Sequence, residues 1–391
     1  MAARSQPPRP GAKGYALEEA LRNYFLLAGL YAVRGVPLRM EGDDITDVDL
    51  WLYERPSGSA RRRLIVDAKF KNKPKAAERL LWTKGLSAYL GVEGAYVATT
   101  DSRPSVRKAA RKIGLLLLDG TDLNRIAANA KTEAPGRLTS EEFDDAVRAV
   151  DAARYSKDWF GWFDDAKASL IEDFGAASAN RALSALEYFA AQAAVAAPAS
   201  AAACTAVRLS LFCASVAAVS LDYAMTDAAF RPVEDRRRLL INVIRYGRTE
   251  REAGLEKVRL ASALLEQFID NGDAVGKQIL NRFEAALEKI PAEIIADHVA
   301  RMTLREPIFG SALQLEAAAY DRVGRGFDQL PSDAKGLMGA FLDFVGVPRA
   351  KFADAANGAG KQSASALGGE VASPDEPATL FPTQAADHPR T

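Results

Sequence analysis

The spacing of apolar residues changes along this chain of 391 residues, and that change constrains the fold more than any other feature. Between residues 48 and 118, apolar residues alternate with polar ones or form short runs, which is typical of β-strands. From residue 140 to about residue 347 they recur at helical spacing, and alanine and leucine dominate. The sequence therefore predicts an α/β domain followed by an all-α domain, and the length also exceeds what one hydrophobic core usually organises.

The first part of the chain resolves into short elements. Turn-forming residues around Gly58 separate two alternating segments, which predicts a β-hairpin. The strand, helix, strand order that follows favours parallel pairing. The predicted elements are a helix at 14–33, strands at 48–53 and 62–70, a helix at 75–90, a strand at 95–99, a helix at 105–113 and a strand at 115–118.

Composition sets the predicted domain boundaries. Residues 1–13 are basic and rich in Pro and Gly without an apolar stretch, so they are interpreted as a disordered leader and not as a signal peptide. The α/β domain spans residues 14–135 and the helical domain residues 138–350. Residues 355–391 hold few large apolar side chains, which predicts a disordered tail.

Charge is distributed unevenly although it sums to zero. Residues 1–140 hold 24 Lys and Arg against 15 Asp and Glu, a balance of +9, and the remaining residues hold 27 against 36, a balance of −9. A basic domain joined to an acidic one is typical of a polyanion-binding module with a regulatory or scaffolding partner.

Cysteine and histidine chemistry is disfavoured. The only cysteines, Cys204 and Cys213, stand in an apolar run, and His298 and His388 are far apart, so the sequence offers no disulfide framework and no zinc-ligand spacing. A reducing, cytoplasmic location is expected. Residues 189–207 are uncharged, but Pro198 interrupts them and alanine is weakly lipophilic, so we expect two buried helices and no membrane span.

The chemistry concentrates on the predicted hairpin. If its loop is centred on Gly58, the numbers of paired residues sum to 116, and Asp49 lies opposite Asp67. Lys69 lies on the same face as Asp67, because residues two apart in a strand point the same way. Facing carboxylates repel each other unless a cation lies between them, and Mg²⁺ prefers such oxygen ligands. The pattern predicts phosphodiester hydrolysis, with Lys69 holding water and offsetting developing charge.

These residues resemble the hallmark of the PD-(D/E)XK nucleases, an acidic residue on one strand followed by D/E-x-K on the next. The Gly14-Tyr15 start of the first helix with Glu18, and residues 94–123, resemble the beginning and end of Mrr-like restriction endonucleases, so the resemblance covers residues 14–126. It implies a mixed sheet flanked by helices. It also implies Mg²⁺, with Mn²⁺ as the alternative, and DNA cleavage in restriction or defence.

In that resemblance Asp49 and Asp67 are the metal ligands, Lys69 is the catalytic lysine and Glu18 is an accessory acid. Glu19 is the alternative to Glu18, since both fall in the first turn of the helix. Close relatives more often carry glutamate or glutamine where this chain has Asp67, and the shorter side chain would shift the metal.

Basic residues continue from the predicted site. Lys71, Lys73 and Lys75, with Lys84 on the next helix, are predicted to contact nucleic-acid phosphates, which gives affinity without sequence information. Two further interpretations concern neighbouring segments. Trp82 and Tyr89 are interpreted as core packing of their helix, and residues 61–63, all arginine, as a solvated strand entry.

Two other classes of function stay open at this point. One is a nucleic-acid-binding module that has the basic surface and does not cleave. The other is a helical sensor or interaction protein, in which residues 140–350 carry the main task and control the first domain. The helical region is also the expected contact for a protein partner or a second copy of the chain.

Overall fold

A five-stranded mixed sheet occupies the first third of the chain. The computed structural model describes residues 12–40, 42–69, 75–133, 136–154, 158–302 and 308–366. The strands lie side by side in chain order, with β1, β2 and β3 antiparallel and β3, β4 and β5 parallel. Their bounds are β1 Tyr31–Met40, β2 Asp43–Glu54, β3 Arg62–Lys69, β4 Gly94–Thr99 and β5 Leu116–Leu118.

Helices precede, connect and follow these strands. Those of the sheet region are α1 Ala12–Leu27, α2 Ala76–Tyr89, α3 Pro104–Lys112 and α4 Gly120–Glu133. Those of the helical region are α5 Ser140–Arg154, α6 Asp158–Glu172, α7 Ala176–Val195, α8 Ala201–Ala224, α9 Val233–Tyr246, α10 Arg251–Phe268, α11 Gly272–Glu288, α12 Ala292–Met302, α13 Ile308–Tyr320, α14 Ser332–Phe344 and α15 Arg349–Ala366. The predicted layout, a mixed sheet with flanking helices followed by a helical region, is confirmed.

The predicted hairpin has the predicted register. Leu50 pairs with Val66 and Leu52 with Leu64, so the numbers of paired residues sum to 116 as expected for a loop centred on Gly58. The two strand, helix, strand connections, β3-α2-β4 and β4-α3-β5, join parallel strands as predicted.

Two predicted boundaries differ from the structure. The first helix ends at Leu27 and not at residue 33, because Gly29 adopts a left-handed φ of +85° and the alternating residues that follow form β1. Residues 355–366 are helical in α15 and not part of a disordered tail. Ala355 and Ala356 are buried there. The free energy gained by burying them opposes the entropy lost when the segment is ordered, and the composition of the segment does not reveal this burial. Residues 1–11, Phe70 and residues 367–391 lie outside the described residues.

Both faces of the sheet are buried, and each belongs to a different core. Leu50, Leu52 and Val66 face α1 and α4. Trp51 and Tyr53, which follow Leu50 and Leu52 by one residue, point to the other face. They belong to a larger core that continues through α2 and α3 into the helical region. Successive residues of a strand point to opposite faces, so the two-residue period explains this division. The helical region therefore covers one face of the sheet.

Two buried ionic clusters join the sheet to the helical region. At the turn end of the hairpin, the Asp222 carboxylate on α8 accepts hydrogen bonds from the Tyr53 hydroxyl at 2.6 Å, from Arg61 Nε at 3.0 Å and from Arg55 at 3.2 Å. The side chains of Arg61 and Asp222 are fully buried. Arg61 is therefore a structural residue, and its interpretation as part of a solvated strand entry is wrong. The sequence did not reveal this, because the partner of Arg61 is an aspartate far along the chain.

The second ionic cluster surrounds Arg22 on α1. Its guanidinium donates to Glu19 at 3.0 Å, to Ser140 Oγ at 3.2 Å and to Glu316 at 2.6 Å, and it lies 3.8 Å from the centre of the Tyr320 ring. Burial lowers the pKa of Arg22, but the charges of these neighbours outweigh it and raise that pKa. The first helix of the sheet region is thus held to α5 and α13 of the helical region.

The uncharged stretch at residues 189–207 forms parts of two packed helices, as predicted. α7 ends at Val195 and α8 begins at Ala201, where the Ser200 hydroxyl accepts a hydrogen bond from the Ala203 amide at 3.1 Å. Among the described helices, α8 alone has the length and apolar composition that a membrane crossing requires, and 83% of its most apolar window is buried inside the protein.

Candidate active site at the open end of the hairpin

The predicted catalytic residues lie at the end of the hairpin opposite its turn. The regular pairing of β2 with β3 stops at Leu50 and Val66, one residue before Asp49 and Asp67. Beyond it, the Ala68 amide donates a hydrogen bond of 2.7 Å to Asp49 Oδ2. Asp49 thus replaces a ladder hydrogen bond with one from its own side chain, which fixes the carboxylate against β3.

Asp67 is buried and held by a cation. Only 6% of the residue is exposed, and both of its carboxylate oxygens contact the Arg79 guanidinium, with Nε donating to Oδ2 at 2.7 Å. Arg79 comes from the first half of α2. Its ion pair with Asp67 has no local signature in the sequence, since 12 residues separate the two partners.

Electrostatics ties Arg79 to both aspartates. Burial raises the pKa of Asp49, while the Ala68 hydrogen bond and the charges of Lys69 and Arg79 oppose that rise. The Asp49 charge in turn counteracts the burial that lowers the pKa of Arg79. A single cation therefore lies close enough to act on both carboxylates.

Lys69 is the last described residue of β3, and its side chain faces two cavities. Its ammonium makes no hydrogen bond or ion pair with any residue in the described ranges. Its positive charge opposes the rise in pKa that burial causes in both Asp49 and Glu18. Lys69 is thus placed at the carboxylates and remains available to a ligand.

Glu18 lies in the same cleft as Asp49 and Lys69, whereas Glu19 does not. Arg34 Nε donates to Glu18 Oε2 at 2.8 Å, and burial raises the Glu18 pKa against the opposing effect of Arg34. Glu19 turns instead into the buried cluster around Arg22. The structure therefore places Glu18, and not Glu19, in the cleft with Asp49 and Lys69.

The larger of the two cavities lies between the sheet and helices α5 and α6. Its volume is about 870 Å³, and its charged lining comprises eight carboxylates against four cations. Those residues are Glu18, Asp44, Asp47, Asp49, Glu141, Asp144, Asp145 and Asp164 against Arg34, Lys69, Arg148 and Lys167. The helical region thus supplies half of the acidic wall, which the local sequence pattern could not show.

The smaller cavity also borders Asp49 and has a volume of about 260 Å³. β2, β3 and α2 enclose it, and its wall combines the ionic residues of the site with apolar ones. The lining residues are Thr46, Asp47, Val48, Asp49, Ile65, Val66, Asp67, Lys69, Arg79, Trp82 and Leu86.

The predicted phosphate-contacting lysines are only partly described. Lys71 and Lys73 lie outside the described residues. Lys75 is exposed and forms an ion pair of 3.0 Å with Glu78, and Lys84 is exposed on α2. Lys75 immediately precedes α2, the helix that carries Arg79, and Lys84 lies on it, so the basic surface adjoins the site.

Trp82 and Tyr89 are not core residues, and the prediction that they pack inside is wrong. They are 49% and 60% exposed. The buried face of α2 is formed by Ala76, Leu80, Thr83 and Ser87 at spacings of four, three and four residues. That phase leaves Trp82 beside the candidate site.

Comparison of the chain with protein-family models, with curated proteins and with solved structures finds no match. Across the described ranges, no three side chains of His, Cys, Asp or Glu are grouped so that they could hold a metal ion. The candidate site accordingly stands on the geometry of its own residues.

Proposed function

We propose that this chain is a divalent-metal-dependent endonuclease that hydrolyses DNA phosphodiester bonds, with its sheet region of the restriction-endonuclease-like PD-(D/E)XK type. One observation carries the proposal. The hairpin register brings Asp49 and Asp67 to the same end of two paired strands, with Lys69 and Glu18 beside Asp49. This is the residue set that the resemblance requires, and it comes from three separate elements.

The donor set suits a cation. The Arg79 guanidinium already neutralises Asp67 and acts on Asp49, so a positive charge belongs at this position. Mg²⁺ or Mn²⁺ would be held by Asp49 and Asp67 with water and phosphate oxygens completing the coordination, since magnesium commonly uses one or two protein carboxylates. When bound, such an ion supplies Lewis-acid activation of water and of the phosphate.

The remaining chemistry falls to side chains of this chain. Lys69 holds the attacking water and offsets negative charge on the phosphorus centre in the transition state, which is where a preorganised charge is most effective. Arg79, once released from Asp67, neutralises a phosphate oxygen. Glu18 maintains the position of Arg34 and adds negative charge to the cleft.

The proposed role is restriction or another form of defence, and this step rests on the family resemblance alone. Lys75 and Lys84 provide non-specific phosphate contacts next to the site.

A plasmid-nicking assay tests the proposal. The full chain should nick supercoiled plasmid with Mg²⁺ or Mn²⁺ and not with EDTA, and Lys69→Ala should abolish nicking. Lys277→Ala is the matched control, because Lys277 is an exposed lysine on α11 paired with Asp273 at 2.8 Å, away from the site. Nicking that is equal in Lys69→Ala and Lys277→Ala would contradict the proposal.

A non-cleaving nucleic-acid-binding module is the second candidate. One observation favours it: Arg79 engages both oxygens of Asp67, so this carboxylate is already neutralised without a metal ion. In that case the chain binds DNA equally well in Mg²⁺ and in EDTA and nicks plasmid in neither.

A further inference from the structure

Trp82 is the one tryptophan among the four of this chain that faces the candidate site. Trp51 and Trp159 are buried, and Trp162 stacks on Tyr188 with 5.4 Å between ring centres. The Trp82 ring is 49% exposed and has no aromatic contact with any described residue. Single exposed apolar side chains are common on protein surfaces, so it is the position of Trp82 in the wall of the cavity, and not its exposure, that distinguishes it.

The smaller cavity gives that ring a chemical context. Trp82 and Leu86 on α2 contribute apolar surface to it, and its charged lining comprises the cations Lys69 and Arg79 with the carboxylates of Asp47, Asp49 and Asp67. A ligand here meets a flat apolar surface and two cations within one cavity of about 260 Å³. Ligand pockets typically measure ~300–1,000 Å³, so this cavity suits one planar ring system and not a larger body.

We propose that Trp82 stacks on an unpaired nucleobase of a nucleic-acid strand whose phosphate is bound by Lys69 and Arg79. The substrate class is then single-stranded or locally unpaired nucleic acid, since a base inside an intact duplex is already stacked on both sides. This inference rests on the proposed function for the position of the phosphate. Stacking on an aromatic ring tolerates any base, so it adds affinity without sequence preference.

Two neighbours on α2 provide matched controls. Leu81 and Tyr89 are 68% and 60% exposed on the same helix, and neither lines the cavity. A general requirement for apolar surface on α2, for instance to bind a second copy of this chain, would involve them as much as Trp82. Stacking at the site involves Trp82 alone.

The experiment measures binding of a short fluorescein-labelled oligothymidylate by anisotropy, with full-length protein in EDTA so that no strand is cut. The single strand should bind more tightly than its duplex with oligoadenylate. Trp82→Ala should weaken single-strand binding by roughly 5- to 150-fold, the equivalent of ~1–3 kcal/mol per stacked base. Trp82→Phe should retain most of the affinity, and Tyr89→Ala should match the parent chain.

Two further readouts separate stacking from other effects. Trp82→Ala should leave the salt dependence of binding unchanged, because the ring neutralises no phosphate, whereas Lys69→Ala should reduce its slope by about 0.7. Oligothymidylate should quench tryptophan fluorescence in the parent chain and not in Trp82→Phe. Equal affinities for Trp82→Ala and the parent chain, or equal losses in Trp82→Ala and Tyr89→Ala, would overturn the inference.

The outcomes also distinguish this inference from the proposed function. Binding that depends on Trp82, without any nicking in Mg²⁺ or Mn²⁺, would contradict the proposed nuclease activity and support the stacking site. Nicking that is unchanged in Trp82→Ala would support the proposed nuclease activity and contradict the stacking site. A change from dimer to monomer in Trp82→Ala, measured by analytical ultracentrifugation, with unchanged oligonucleotide binding would assign the ring to a second copy of the chain and overturn the inference.

Discussion

The two ends of the β2–β3 hairpin carry similar charged residues in opposite settings. At the turn end, Asp222 is fully buried and accepts hydrogen bonds from Tyr53, Arg55 and Arg61. At the open end, Asp49 borders both cavities and Asp67 the smaller one, and the Lys69 ammonium makes no hydrogen bond or ion pair with any residue in the described ranges. Removing one partner of a buried charge pair is strongly destabilising, whereas charges left open at a cavity are available for ligands.

This difference teaches that charge alone does not distinguish structural from functional clusters. Both clusters contain an aspartate held by arginine, as Asp222 is by Arg61 and Asp67 by Arg79. What separates them is access. The side chain of Arg61 is fully buried, and that of Arg79 is 26% exposed. Substitutions at the turn end should therefore change stability, and substitutions at the open end should change activity and metal binding.

Asp222→Ala should have the largest effect, on stability. It leaves Arg61 and Arg55 without their carboxylate in a buried place, which costs about 3–5 kcal/mol in comparable buried pairs. Urea unfolding followed by circular dichroism measures the change. A loss below about 1 kcal/mol would contradict the structural assignment of the turn end, since that is the range of exposed pairs.

Asp49→Asn, at the open end, should reduce activity and leave stability unchanged or higher. The amide oxygen of asparagine can still accept the Ala68 hydrogen bond, and the raised pKa of Asp49 shows that burial opposes its charge, so stability should be unchanged or higher. Nicking should fall by roughly 10²–10³-fold, the loss typical for removing one electrostatic group from an active site. Retained nicking in a well-folded Asp49→Asn would contradict the functional assignment of the open end.

Arg79→Ala sharpens the comparison between the two arginines. It removes a cation that competes with a metal ion for Asp67, so Mn²⁺ affinity measured by calorimetry should rise by about tenfold, or ~1.4 kcal/mol. Stability should fall by about 1–3 kcal/mol, because a buried carboxylate loses its partner. An unchanged Mn²⁺ affinity would show that Arg79 does not occupy the metal position.

Glu19→Gln should have the smallest effect, a change in how stability depends on pH. Burial opposes the charge of Glu19, but Arg22 and the Ser140 hydrogen bonds outweigh it and hold the pKa below its ordinary value of 4.5. Stability from Glu19 is therefore present above pH 4.5 and is lost as pH falls through the folded-state pKa. Glu19→Gln should flatten the acid limb of a stability-against-pH profile. A parallel profile for both proteins would contradict this.

The sequence predicted the elements whose pattern is local. The two-residue period and the turn around Gly58 were enough to predict the hairpin and its register, which the structure shows as far as Leu50 and Val66, one residue before Asp49 and Asp67. Partners from distant segments were not predictable, since neither Arg61–Asp222 nor the acidic wall from α5 and α6 has a local signature. The prediction that Trp82 packs in the core was wrong because the composition of α2 does not show which of its faces is buried. The buried face carries the polar residues Thr83 and Ser87 beside Leu80.

A crystal of the full chain soaked in Mn²⁺ tests the central claim most directly, because the anomalous signal of manganese identifies the ion. The account predicts one ion in contact with both Asp49 and Asp67, with the Arg79 guanidinium withdrawn from Asp67. An Arg79–Asp67 ion pair that persists at saturating Mn²⁺, with no anomalous peak between the two aspartates, would contradict it.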